Sequence, residues 1–147
     1  RGGTSNTATH TMFAKTLRLA LENQNKKIQH IQYLNQYIRH ELSQIEDVVI
    51  NTPLKHAIPH ILNFSCVGYK PEVILHALEA NECYVSTKST CSSHKNDVSR
   101  TLAAMHVSDD IAQSAIRISL SHLTTQEEID EFIYHLKTIL KTIKKQR

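Results

Sequence analysis

The sequence predicts an α+β domain, a small mixed or antiparallel sheet packed against helices and entered by a long N-terminal helix. Two patterns carry the prediction. Apolar residues recur at steps of three and four from Phe13 to Ile45 and again from Ile129 to Ile143, the period of a helix with one buried face. Between these stretches, Ile61–Cys66 and Ala115–Ser121 alternate apolar with polar residues, the period of a strand with one buried face. The chain has 147 residues, enough for one compact domain with its own core.

The first helical stripe runs through Phe13, Leu17 and Ala20, then Ile28, Ile31, Leu34, Ile38, Leu42 and Ile45. The polar run Glu22-Asn23-Gln24-Asn25-Lys26-Lys27 dilutes it, so the helix is expected to bend there and its two halves to serve different bodies. Val48-Val49-Ile50 is short and β-branched and is closed by Asn51-Thr52-Pro53, which suits a first strand. In the second strand Leu62, Phe64 and Cys66 share one face, with Asn63 and Ser65 on the other. Pro71 fits the first position of a helix reaching about Ala80. Cys83-Tyr84-Val85-Ser86 reads as a short strand running into a polar loop, Val98 to Met105 as a helix, and Ser108 as the cap of another short helix containing Ile111. Ile116, Ile118 and Leu120 then alternate with Arg117, Ser119 and Ser121, which turns Arg117 away from the core side. Thr124 or Thr125 caps the closing helix, with Glu127 or Glu128 completing a capping box.

Composition narrows the function. No apolar run approaches the ~20 residues that cross a bilayer, so no membrane association is expected. The formal charge of +3 is mild, and much of it sits in the tail Lys141–Arg147, which suits a solvated helix end rather than a nucleic-acid surface. Three cysteines cannot all pair within one monomer, and their spacing matches neither a zinc ribbon nor a disulfide scaffold; free thiols and a cytoplasmic location are expected. The pair His56 and His60 invites a metal reading, but Pro59 spoils the helical presentation that would aim both rings at one ion, and no metal site is expected. With only three glycines, the chain has no P-loop, no dinucleotide fingerprint and no nucleophile elbow. The N-terminus Arg1-Gly2-Gly3-Thr4 lacks both an initiator Met and a signal peptide's apolar stretch, so a fragment is expected.

Cys91 is the residue most suited to chemistry. It lies among Ser and Thr, with Lys88, His94 and Lys95 near it in sequence, and a thiol in a positive field has a lowered pKa and a larger thiolate fraction. Cys66 and Cys83 sit in strand-like contexts with bulky neighbours, where cysteine behaves as a small hydrophobe. Arg117 carries the planar fork that matches a carboxylate.

These residues carry a family resemblance. Arg1-Gly2-Gly3-Thr4, Pro59-His60-Ile61-Leu62-Asn63-Phe64-Ser65, Val85-Ser86 through Ser93, Ser114-Ala115-Ile116-Arg117-Ile118-Ser119-Leu120 and Leu123-Thr124-Thr125-Gln126-Glu127-Glu128-Ile129-Asp130 stand in order. Together they resemble the carboxy-terminal part of a cysteine desulfurase, a class V aminotransferase of the pyridoxal-phosphate fold type I. The resemblance implies that residues 1–24 belong to or border a large cofactor domain and that residues 25–147 form the small C-terminal domain. It implies that Cys91 takes sulfur from L-cysteine as a persulfide with release of L-alanine, that Arg117 holds the substrate carboxylate, and that Thr4 contacts the cofactor phosphate of the neighbouring subunit in a homodimer. A sulfur-acceptor protein would then take the sulfur for iron–sulfur cluster assembly or for thiolation of tRNA or cofactors.

The chain departs from the family's usual Gly-Ser-Ala-Cys with Lys88-Ser89-Thr90-Cys91, a bulkier and more basic loop. Ser93-His94-Lys95 has the form that carries the cofactor lysine in some relatives, but no Gly-rich continuation follows, and Lys95 reads as a surface lysine. The chain alone is expected to be inactive. Two other readings stay open: a non-catalytic sulfur-relay module using Cys91, and a selenocysteine lyase relative.

Overall fold

The computed structural model describes residues 3, 5–87 and 99–145. Cys91 and Thr4, both expected as site residues, lie outside the described residues, as do all of residues 88–98.

The N-terminal stripe forms two helices rather than one. Helix α1 spans Thr7–Leu21 and α2 spans Gln24–Ser43. Asn23 separates them in the left-handed conformation, φ 56°, which an Asn side chain tolerates and a continuing helix does not. Asn6 caps α1 by accepting the Thr9 N–H at 3.2 Å. No residue of α1 is buried, and Met12, Phe13, Leu17, Leu19 and Leu21 all stand exposed. Helix α2 instead buries Leu34, Ile38 and Leu42.

Strand β1 (Val48–Ile50) pairs antiparallel with β2 (Ile61–Cys66), so the polar-closed β-branched run and the alternating run both become strands. After β2 the chain turns at Gly68, whose φ of 85° needs a residue without a Cβ, and enters α3 (Pro71–Glu79) with Pro71 in its first turn. Strand β3 covers Ser86–Thr87, later than the Cys83–Ser86 run expected from local pattern. It is an edge strand whose extent is set by the partners it finds, Ser86 opposite Arg117 and Thr87 opposite Ile116. Helices α4 (Arg100–Ala104) and α5 (Asp109–Gln113) are short; Ser108 stands at the N-cap position of α5, as expected, but its side chain makes no capping hydrogen bond. Strand β4 (Ala115–Ser119) lies between β2 and β3, giving an antiparallel sheet in the order β1-β2-β4-β3. Helix α6 (Gln126–Thr142) closes the chain, with Thr125 and Glu128 forming the full capping box.

One face of the sheet makes the core. Leu62, Phe64 and Cys66 of β2 and Ile116 and Ile118 of β4 pack with Leu34, Ile38 and Leu42 of α2, Ile74 and Leu78 of α3, and Ile129, Phe132, Ile133 and Leu136 of α6. The Phe64 and Phe132 rings meet edge to face, centroids 6.3 Å apart, a geometry that adds about 1 kcal/mol to burial alone. Polar ties flank the core. Tyr33 Oη donates to Gln126 Oε1 at 2.6 Å and Tyr37 Oη to Asp130 Oδ1 at 2.5 Å, joining α2 to α6. The C-terminal cations are not all left to solvent: Lys145 pairs with Asp47 at 2.6 Å and ties the end of the chain to the start of β1.

The opposite face is covered at one end only. Leu102, Val107 and Ala112 from the α4–α5 segment pack on Ala115, and Ser65, fully buried, donates to the Ile111 carbonyl at 2.6 Å. No other described element covers the rest of that face.

Candidate functional site

Alternation places Arg117 on this open face. Its neighbours Ile116 and Ile118 are buried while Arg117 is exposed, as the strand pattern predicted. Register then assembles a polar row across the sheet. Arg117 stands opposite Asn63 on β2 and opposite Ser86 on β3, and Asn51, just past β1, donates through Nδ2 to Asn63 Oδ1 at 2.7 Å. Directly paired strand residues have Cα atoms about 5 Å apart, so the row Asn51, Asn63, Arg117, Ser86 is contiguous. Arg117 finds no carboxylate or carbonyl partner among the described residues. An unpaired guanidinium on a central strand, set beside amide and hydroxyl groups, is suited to receive a carboxylate from outside the sheet.

The sequence pattern placed Arg117 on the face away from the core but did not single out Asn51 or Asn63. The alternation put Asn63 on the polar face, yet only the tertiary pairing of β1, β2 and β4 shows that it meets Arg117. Asn35 and Arg39, four apart on α2, were also missed. Asn35 Nδ2 donates to the Pro59 carbonyl at 2.7 Å and Arg39 Nη1 to the Thr52 carbonyl at 2.9 Å, so these side chains clip the β1–β2 loop to α2. Burial lowers the Arg39 pKa without removing its charge. The clip fixes Thr52, whose Oγ1 accepts the Asn63 N–H at 2.7 Å.

The two described cysteines are free thiols. Burial, helped by the negative charge of Asp47, pushes the Cys66 thiol up to about 12, and burial followed by the charge of Glu131 raises Cys83. Neither is poised for nucleophilic work near neutral pH. Among the described residues no three His, Cys, Asp or Glu side chains gather to hold a metal ion, and no described helix is long and apolar enough to cross a membrane.

The chain that carries this row has clear relatives. The family model described as aminotransferase class-V matches residues 1–132. The chain belongs to that family. Its curated relatives include proteins named cysteine desulfurase. It is 40% identical over 134 residues to a "NifS/IcsS protein homolog" of Lactobacillus delbrueckii subsp. bulgaricus, a match covering 90% of this chain and 35% of that relative. It is 34% identical over 148 residues to a "Cysteine desulfurase IscS" of Dictyoglomus turgidum, covering all of this chain and 37% of that one. A solved structure titled as a NifS-like protein superposes with a TM-score of 0.81 at 29% identity, over 97% of this chain and 36% of its own length. The kinship expected from sequence therefore holds for family and fold. The chain spans a little over a third of the length of these relatives.

Proposed function

We propose that this chain is the sulfur-carrying part of a cysteine desulfurase, residues 25–147 forming its small domain and residues 1–24 bordering a large cofactor domain. The carrying observation is Arg117, a guanidinium without a partner among the described residues, on the exposed sheet face in register with Ser86, five residues before Cys91 in sequence. Five extended residues span at most about 18 Å, so Arg117 and Cys91 can serve one small substrate. The exposed apolar side chains of α1 support a neighbouring body on that helix.

In this reading Arg117 binds the carboxylate of L-cysteine and orients its sulfur toward Cys91. The Cys91 thiolate attacks that sulfur, forming an S–S bond as the substrate's C–S bond breaks; the electron pair of that bond stays with the substrate carbon, which takes up a proton, so that L-alanine leaves and Cys91 keeps the persulfide. Pyridoxal 5'-phosphate, when bound, supplies the electron sink that allows the C–S bond to break. The row Asn51, Asn63, Arg117, Ser86 has no lysine and no aromatic ring, and its donors match an amino acid's carboxylate, so this face fits the substrate side of such a site. Thr4 would hold the cofactor's phosphate, across a homodimer. A sulfur-acceptor protein then takes the terminal sulfur for iron–sulfur cluster assembly or thiolation, in the cytoplasm.

The test is alanine production from L-cysteine by a full-length protein carrying this chain, beside its Cys91→Ser variant. Alanine that depends on Cys91 is expected. A protein that makes no alanine, yet loads Cys91 with sulfur from an external donor, would instead be a relay module.

A further inference from the structure

The exposed face carries a second side-chain donor opposite Arg117, the amide of Asn63. Ser65 Oγ donates its only proton to the Ile111 carbonyl at 2.6 Å, so it can only accept from Asn51 Nδ2, 2.8 Å away. That fixes the Asn51 amide, whose Nδ2 also donates to Asn63 Oδ1 at 2.7 Å. The Asn63 amide is fixed in turn: its oxygen faces β1, and its Nδ2 is turned from β1 toward the side on which Arg117 lies opposite. Asn63 Nδ2 has no acceptor among the described residues. Two neighbouring donor groups, one of them cationic, lack a shared acceptor, and a carboxylate with its two oxygens supplies one.

We propose that Asn63, held by the Asn51–Ser65–Ile111 relay, donates through Nδ2 to the same substrate carboxylate that Arg117 binds. This rests on the Arg117 assignment above and deepens it. Asn51 and Ser65 are positioning residues: they set the direction of the Asn63 amide and touch no substrate.

The probe is equilibrium calorimetry on the full-length protein carrying this chain, with L-alanine and its carboxylate-free analogue ethylamine as ligands, in the wild type, Asn63→Ala and Arg117→Ala. A neutral donor to a charged acceptor makes about a tenfold difference in affinity. Asn63→Ala is therefore expected to weaken L-alanine about tenfold and to leave ethylamine unchanged. Asn63→Val, β-branched and favoured in strands, is a second donor-free variant should the alanine variant fold poorly. If Asn63→Ala binds L-alanine as the wild type does while Arg117→Ala binds weakly, the Asn63 inference fails and the clamp stands. If Arg117→Ala also binds normally, the clamp reading fails with it. Equal weakening of both ligands by Asn63→Ala would mark a structural role and overturn the inference.

Discussion

Raising the pH should destabilise this domain through Cys66, by an amount that follows from its burial. The Cys66 side chain lies at the sheet–helix junction with no solvent exposure, and its thiol is pushed from the ordinary 9.0 to about 12. Between these values the unfolded chain releases a proton that the folded chain retains. The unfolded state then binds fewer protons, so unfolding free energy falls as pH rises. The contribution is fully present below about pH 9 and is lost as pH climbs toward 12. At pH 10 the loss is about 1.4 kcal/mol, one pH unit above the unfolded value at 1.36 kcal/mol per unit. Lys145, whose pKa is raised first by its hydrogen bond to Asp47, stays charged at that pH and holds the same ion pair throughout. Urea unfolding at pH 8 and pH 10, in the wild type and in Cys66→Ala, isolates the thiol. The cavity left by the substitution costs the same at both pH values, so the wild type should lose about 1.4 kcal/mol more than the variant. Parallel losses in the two proteins would refute the burial argument for this thiol.

Other perturbations separate core, cap and site. Thr125→Ala removes the α6 cap that accepts the Glu128 N–H at 3.2 Å and should cost about 1 kcal/mol in urea unfolding. Leu136→Ala empties a fully buried position between α6 and the sheet and should cost about 3 kcal/mol, read as a lower Tm. Arg117→Ala, on the open face, should leave the unfolding midpoint within about 0.5 kcal/mol of wild type while raising KM for L-cysteine in the full-length protein; an unchanged KM would discard the clamp. Near neutral pH, Cys91 should alkylate faster than Cys66 or Cys83, whose pKa values burial raises, and site-resolved mass spectrometry giving equal rates would remove the case for a reactive loop thiol.

What could be read from the sequence was what depends on local period. The Ile61–Cys66 and Ala115–Ser119 strands follow from alternation, and α6 from its stripe and the Thr125–Glu128 box. What could not be read depends on partners distant in the chain. The end of β3 is set by Arg117 and Ile116 rather than by its own apolarity. The break at Asn23 turns on one residue's left-handed backbone, whereas the sequence showed only a polar stretch. The candidate site divides the same way: Arg117's direction follows from alternation, but its neighbours Asn63 and Ser86 follow from register between strands far apart in the chain. Ser65 shared the polar face by pattern and is nonetheless fully buried, because α5 supplies the Ile111 carbonyl that its hydroxyl needs.

Register is also what protects the row. Strand side chains alternate with a period of two, so a slip of one residue between β2 and β4 would turn Arg117 into the core and Ile116 and Ile118 toward water. Uncovering two isoleucines costs roughly 4 kcal/mol before the buried, unpaired guanidinium is counted. The hydrogen bonds within the row could not impose such a penalty, since each contributes only about 1 kcal/mol net. Leu62, Phe64, Ile116 and Ile118 thus hold Arg117 against Asn63 from the far side of the sheet. Arg117 can therefore stand without a partner among the described residues, because its position does not depend on any bond it makes.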